Sequence, residues 1–418
     1  MEFDLTDPEC FAKQDPHPVW KRLRAEDPIH WTTGGRIQRG FWSITRYEDA
    51  LAVYRDPITF SSQRYSVGLP SNAEAEAMLS PEMRGCGQML IGTDPPRHNS
   101  MRRQFNDAFL PRAVAQLESS GRRIVSEVLD AVAGRGECDF VIDVAARLPM
   151  AIICEMMGIP RADWGLMFRF GNMSLGNEDP EFQVGNAAET QRQGFQGLAD
   201  YCFKLAQVRR RNPGNDLISL TATGEIDGKK LTDTEVSFNC QMFVIAGLET
   251  TRNAISGGVL ELLRSRDQFV RLAADRSLMP TAVEEILRWT SPITHIMRTA
   301  LRDGEVRDRK IREGDWVVLW NASANRDEEV FPDSDRFDVA RKPNYHIAFG
   351  YGEHFCLGAH LARLELRLAL EEVMHRWPDI ELDGEVQRLS SNLVAGIKHM
   401  PVKYNHGRQI IVQPSCSK

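Results

Sequence analysis

At 418 residues the chain can bury a substantial core, and its composition, 42% hydrophobic and 26% charged, is that of a globular protein. Lys and Arg total 51 against 58 Asp and Glu, a formal net charge of −7, which excludes general attraction to nucleic acid or to an anionic membrane surface. The cysteines are scattered without a C-x-x-C pair, and several sit in apolar runs such as "MAIICEMM", which argues against a disulfide framework and for buried, inert thiols.

The first residues, "MEFDLTDPECFAKQDPHP", contain no apolar run of signal-peptide type. Apolar residues three or four apart predict helices in "HPVWKRLRAEDP", "RIVSEVLDAVA", "FQGLADYCFKLAQVRRR" and "MPTAVEEILRWTS". The most apolar stretch, "LPMAIICEMMGI" from Leu148, is too short to span a membrane and contains Glu155, so the expectation is a soluble, cytoplasmic protein without a membrane anchor. Strand candidates are few: "IHWTT" with "GFWSIT", "HIMRTAL", "DWVVLWN" and a terminal "IIVQ". Without repeats, low-complexity tracts or a convincing linker, the reading is a single domain over residues 1–418, mainly α with small β-sheets.

The longest helix is predicted over about 234–264, capped by Thr232 or Asp233, and at 1.5 Å per residue it spans roughly 45 Å. In its middle lies "AGLETT", where Gly247 and two threonines permit a local opening or kink. The plainer reading is a tolerated glycine, with Glu249 on a solvated face. Further on, "VEEILR" sets Glu285 and Arg288 three residues apart, able to pair side by side on one helix.

"FGYGEHFCLGAH", residues 349–360, is the most chemically loaded stretch. Gly350, Gly352 and Gly358 allow backbone geometry and close approach that larger residues obstruct, and Cys356 falls just before a helical pattern. Amide groups and the dipole at a helix start favour the thiolate, the form that binds metal. A zinc site of His354, Cys356 and His360 lacks a fourth ligand and a second Cys/His cluster. A single strong thiolate suits an iron whose other ligands come from a porphyrin.

The pattern Phe349-Gly350-x-Gly352-x-His354-x-Cys356-x-Gly358, followed by Ala362 and Arg363, resembles the haem-binding signature of the cytochrome P450 superfamily, and other family landmarks follow in order along the whole chain. The resemblance implies a triangular, mostly helical fold around a buried haem b, with Cys356 as axial ligand to the haem iron. It makes Glu249 and Thr250 the acid–alcohol pair that feeds protons to the oxygen-activating side. It makes Glu285, Arg288 and Arg336 a structural group bracing the loop that leads to the cysteine. His98, Arg102, Arg298 and His354 become partners of the haem carboxylates. Met242, Ile245, Ala246, Thr294, Ile296 and Val394 should face the substrate, with residues 61–90 forming a variable loop over the pocket mouth.

The implied activity is insertion of one oxygen atom from O2 into a hydrophobic small molecule. Electrons would come from NAD(P)H through a ferredoxin and its reductase, docked near Arg97, Arg102, Arg103, Arg112, His360 and Arg363. "AGLETTRN" and "GNEDPEF" (176–182) resemble the branch acting on terpenoids, sterols and branched lipids. The alternative is oxidative coupling or desaturation without oxygen insertion, on a polyketide or peptide.

Overall fold

The β-branched and aromatic runs predicted as strands converge on one sheet. A computed structural model describes residues 3–65, 67–70 and 85–405. The terminal "IIVQ" and, within the expected variable loop, residues 66 and 71–84 lie outside the described residues. In chain order the sheet takes β1 (Ile29–Thr32), β2 (Phe41–Ile44), β3 (Phe60–Ser61), β4 (Ile296–Ala300) and β5 (Trp316–Leu319). Their spatial order is β1-β2-β5-β4-β3, with β5 parallel to β2 and the other pairs antiparallel. Each face buries its own apolar cluster. Phe60, Ala300, Val317 and Leu319 lie in one, and Met297, Trp316, Val318 and Trp320 in the other. Both β4 and β5 are therefore held from two sides, and the register that sets Arg298 opposite Val317 is well defined.

Helices form the larger mass. Those that shape the site are α1 (Arg97–Phe109), α2 (Trp164–Leu175), α3 (Ala187–Arg211), α4 (Asp233–Arg264), α5 (Met279–Thr290) and α6 (Ala359–Arg376). The long helix α4 starts at a reciprocal cap: the Thr232 hydroxyl accepts from the Glu235 N–H, and the Glu235 carboxylate accepts from the Thr232 N–H. Its 32 residues run unbroken, so the predicted opening at Gly247 is absent. Gly247 has a different cause. A Cβ there would come within 2.8 Å of the Ile153 side chain on the helix Arg147–Met157, so the glycine lets two helices approach closely.

A hairpin of β6 (Gln387–Arg388) and β7 (Ile397–His399) completes the site's surroundings. Its turn lies along the residues preceding β4: the Thr294 N–H donates to Leu393 O at 2.9 Å and the Ala395 N–H to Pro292 O at 3.0 Å. Among the described residues, no helix is long and apolar enough to cross a membrane.

Candidate active site

Cys356 sits two residues before the N-cap of α6, in a loop that two left-handed glycines shape. Gly350 and Gly352 have φ of 68° and 69°, and a Cβ at Gly352 would lie 3.0 Å from the Tyr54 carbonyl oxygen. The loop closes through the Cys356 N–H donating to Phe349 O at 2.9 Å. The Phe349 ring in turn lies 4.7 Å beneath the Arg363 guanidinium. Cys356 is solvent-accessible, yet burial pushes its thiol up, against the Gly358 N–H and the charges of Arg102 and Arg363. The two facts together describe a thiol that is accessible yet set deep in the protein, as on the wall of an internal chamber. The Gly358 N–H at the helix start does favour the thiolate, as expected, and desolvation works against it.

A second accessible surface lies on α4. This helix is buried over most of its length, but Ala246 is exposed and Met242, Ile245, Gly247 and Thr250 are half-buried. An accessible alanine in the middle of a core helix marks a lined cavity. Ile296 is also half-buried. Thr294 and Val394 are not lining residues: both are buried, and the Thr294 hydroxyl is committed to the Asn392 carbonyl oxygen. They stand behind the wall and hold the hairpin turn.

At the edge of the chamber four cationic or neutral-basic groups gather without an ion-paired acid among the described residues, Asp94 and Glu353 acting on them only at longer range. His98 is buried, its Nδ1 lies 3.1 Å from Asn99 Oδ1, and its Nε2 has no partner. The His98 and His354 rings lie 4.0 Å apart. Burial and the charges of Arg298, His98 and Arg102 push the His354 ring down to about 2. Arg298 is buried and its hydrogen bond goes to the Met297 carbonyl oxygen; Arg102 donates to Glu353 O at 3.1 Å. Among the described residues no carboxylate forms an ion pair with any of the four. Buried donors with no acid are costly unless an anion joins them, so the cluster fits a ligand that brings carboxylates. Accessible thiol, apolar chamber and a cationic edge without an ion pair together fit haem. The zinc alternative has no such support: His354 is occupied by His98 and by Ser62 Oγ at 3.3 Å, and no group of three or more His, Cys, Asp or Glu able to hold a metal ion occurs among the described residues.

Thr250 and Glu249 diverge. The Thr250 hydroxyl donates to Ala246 O at 2.8 Å, on the chamber side. Glu249 is buried, which overturns the solvated-face reading. It pairs with Arg252, whose Nη1 donates to Asn172 Oδ1 at 2.8 Å on α2. Burial raises the Glu249 carboxyl above the usual range, Arg252 opposing, and its Oε1 has no partner. The spacing of Arg252 from Glu249 was visible in the sequence; Asn172 was not, because α2 meets α4 only in the fold.

The Glu285–Arg288 pair is fully buried and bidentate, with both contacts at 2.8 Å. Arg336 does not join it. Its side chain is exposed, and only its carbonyl accepts from the pair. Arg341 takes that place, its Nε 3.1 Å from both Glu285 oxygens and its Nη groups donating to the carbonyls of Pro332, Asp333 and Arg336. Nothing periodic in the loop distinguishes one arginine from the other. The expected docking charges are also partly spent: Arg97 pairs with Glu235, and Arg363 is bidentate with Glu284 at 2.7 and 2.9 Å, while Arg103 donates to Ser100 Oγ and Arg112 lies 3.8 Å from Asp107. His360 is exposed.

Residues 187–397 match the family profile described as Cytochrome P450. Over 394 residues the chain is 40% identical to the methyl-branched lipid omega-hydroxylase of Mycobacterium tuberculosis, covering 92% of this chain and 90% of that protein. It is 35% identical over 415 residues to the steroid C26-monooxygenase of Mycolicibacterium smegmatis, 98% of each. The solved structure of the Mycobacterium marinum cytochrome P450 CYP268A2 in complex with pseudoionone superposes with a TM-score of 0.89 at 33% identity, over 97% of this chain and 99% of that one. The chain belongs to the cytochrome P450 family, and is a cytochrome P450 monooxygenase with the family's mainly helical fold.

Proposed function

We propose that the protein is a cytoplasmic, haem b-dependent hydroxylase of a terpenoid, sterol or branched lipid, drawing electrons from NAD(P)H through a ferredoxin and its reductase. The observation that carries this reading is the accessible stripe Met242, Ile245, Ala246 and Thr250 in the middle of α4, apolar except for one hydroxyl. A chamber so lined selects apolar substrate by burial and leaves Thr250 as a polar guide. The names of the relatives, a branched-lipid hydroxylase and a steroid monooxygenase, support the same substrate class.

Bound haem would supply dioxygen activation, consuming two electrons and two protons and leaving one oxygen atom in the product and the other in water. Cys356 would hold its iron through sulfur, with His98, Arg102, Arg298 and His354 neutralising its carboxylates. Gly350 and Gly358 would let the backbone lie close. Glu249, raised by burial, can hold a proton at Oε1 behind the chamber wall, and Thr250 can present its own hydroxyl to the chamber once it turns from the Ala246 carbonyl. Met242, Ile245 and Ile296 exclude water and orient the apolar skeleton.

Absorbance titration of the ferric holoenzyme against terpenoids, sterols, branched fatty acids, polyketides and aromatic acids tests the substrate class. A saturable high-spin shift confined to the first three is expected, and a shift confined to the last two overturns the assignment. Turnover under labelled dioxygen should place one labelled atom in the product; product without label would establish coupling or desaturation instead.

A further inference from the structure

The acids of "GNEDPEF" play no part in the chamber, yet each is engaged. They lie on the connection between α2 and α3, residues 176–186. Glu178 is 3.3 Å from Arg36 Nη1. Asp179, wholly buried, accepts from the Ser390 N–H at 3.1 Å and from Lys398 Nζ at 2.9 Å. Glu181 approaches Lys398 Nζ at 3.3 Å and His399 Nε2 at 3.0 Å through both oxygens. His399 Nδ1 is in turn 2.5 Å from Asp139 Oδ2. Ser390, Lys398 and His399 all belong to the β6–β7 hairpin.

The two tethered parts flank the chamber from different sides. α2 and α3 lie along α4 beside its accessible stripe, joined to it by Arg252 with Asn172 and by Gln241 donating to Phe195 O at 2.8 Å. The hairpin turn is hydrogen-bonded to the residues that lead into Ile296. Closing the contact therefore ties the helical flank of the chamber to its strand flank.

We propose that Asp179, Glu181, Lys398 and His399 are positioning residues that form an electrostatic clasp between the α2–α3 connection and the β6–β7 hairpin, and that its release limits how fast a hydrophobic ligand enters and leaves the chamber. The proposal rests on the reading of that chamber as the substrate site. The charge balance gives it a direction. While His399 is neutral, Asp179 and Glu181 face Lys398 as their one cation in the contact, and Asp139 accepts from the backbone N–H groups of Val141, Ile142 and Met400; Asp143 accepts from the Asp139 N–H and is 3.5 Å from Arg135. A protonated imidazole donates to Asp139 and Glu181 at once. Burial opposes that proton, but the two carboxylates outweigh it and raise His399 above its ordinary value. The clasp is thus tightest at low pH and loosens as pH rises through the His399 titration.

The test uses the holoenzyme with 4-phenylimidazole as an apolar, haem-reporting probe, mixed by stopped flow from pH 7 to 9, where the probe stays neutral, at constant ionic strength. Association and dissociation rates should both rise several-fold with pH, leaving the dissociation constant nearly constant. His399→Gln should show the fast rates at every pH, and His399→Lys, permanently charged, should restore slow ones, a rescue that general destabilisation does not produce. Amide hydrogen exchange over 176–186 should follow the same order without reference to haem. Flat wild-type rates, or a slope retained in His399→Gln, overturn the gate. Exchange insensitive to His399→Gln overturns the clasp itself. No spectral response to the probe overturns the chamber reading, and the gate with it.

Discussion

Among the described residues two buried Glu-x-x-Arg pairs lie on helices, chemically alike and differently used. At Glu285–Arg288 both carboxylate oxygens and all three guanidinium nitrogens have partners: Arg341, Asn344, the Asp338 N–H and the carbonyls of Asn325, Ser334 and Arg336. At Glu249–Arg252 the pair is just as buried, but Glu249 Oε1, Arg252 Nε and both polar atoms of neighbouring Asn253 are unpartnered. A saturated buried network is rigid and specifies structure; one with polar atoms to spare retains capacity to hold water or move a proton. The first pair braces the loop toward Cys356, and the second flanks the chamber.

Breaking the saturated pair should have the larger effect. Arg288→Ala leaves Glu285 charged and buried, a loss of about 3–5 kcal/mol that should abolish recovery of folded, haem-binding protein. Arg341→Ala should lower thermal stability by about 1–3 kcal/mol, whereas Arg336→Ala, on an exposed side chain, should stay within about 0.5 kcal/mol. An equal loss from the two would return Arg336 to the network. The unsaturated pair should respond in rate instead. Glu249→Gln should lower product formation on the order of 10²-fold, with a smaller loss of stability than Arg288→Ala because the Gln amide oxygen can still accept from Arg252, and Thr250→Ala should raise electron consumption per product. Unchanged coupling in Thr250→Ala would remove the proton-delivery role.

A smaller effect comes from Glu284, which joins α5 to α6. Burial alone would raise its carboxyl, but Arg363 and His346 outweigh it and hold it at about 2. A depressed carboxylate stabilises the fold above its unfolded value and loses that contribution as pH falls. Between pH 7 and 4 the wild type should lose about 1 kcal/mol more than Glu284→Gln, read from denaturant midpoints. Equal losses would show that the pair is not formed in solution.

Local chemistry was legible wherever it recurs at short range. The helical periods, four strand candidates of the sheet, the glycine-framed cysteine and the Thr232 cap were all visible because each depends on neighbours within a few residues. Partners brought together across the chain were not. Arg341 rather than Arg336, Asn172 beside Arg252, and the burial of Thr294 and Val394 depend on which loops meet, and no local spacing encodes that.

By itself the sequence determined a helical protein with one thiol framed for a haem iron, because φ > 0 at two glycines and a helix start are written into a dozen residues. Only the tertiary structure decided which charges are working and which are spent. It paired Arg97 and Arg363 internally, left His98 and Arg298 without an ion pair, and turned the acids of residues 176–182 onto Arg36 and the β6–β7 hairpin. The physical reason is that a charged side chain's role is set by burial and by its partners, and both come from parts of the chain distant in sequence.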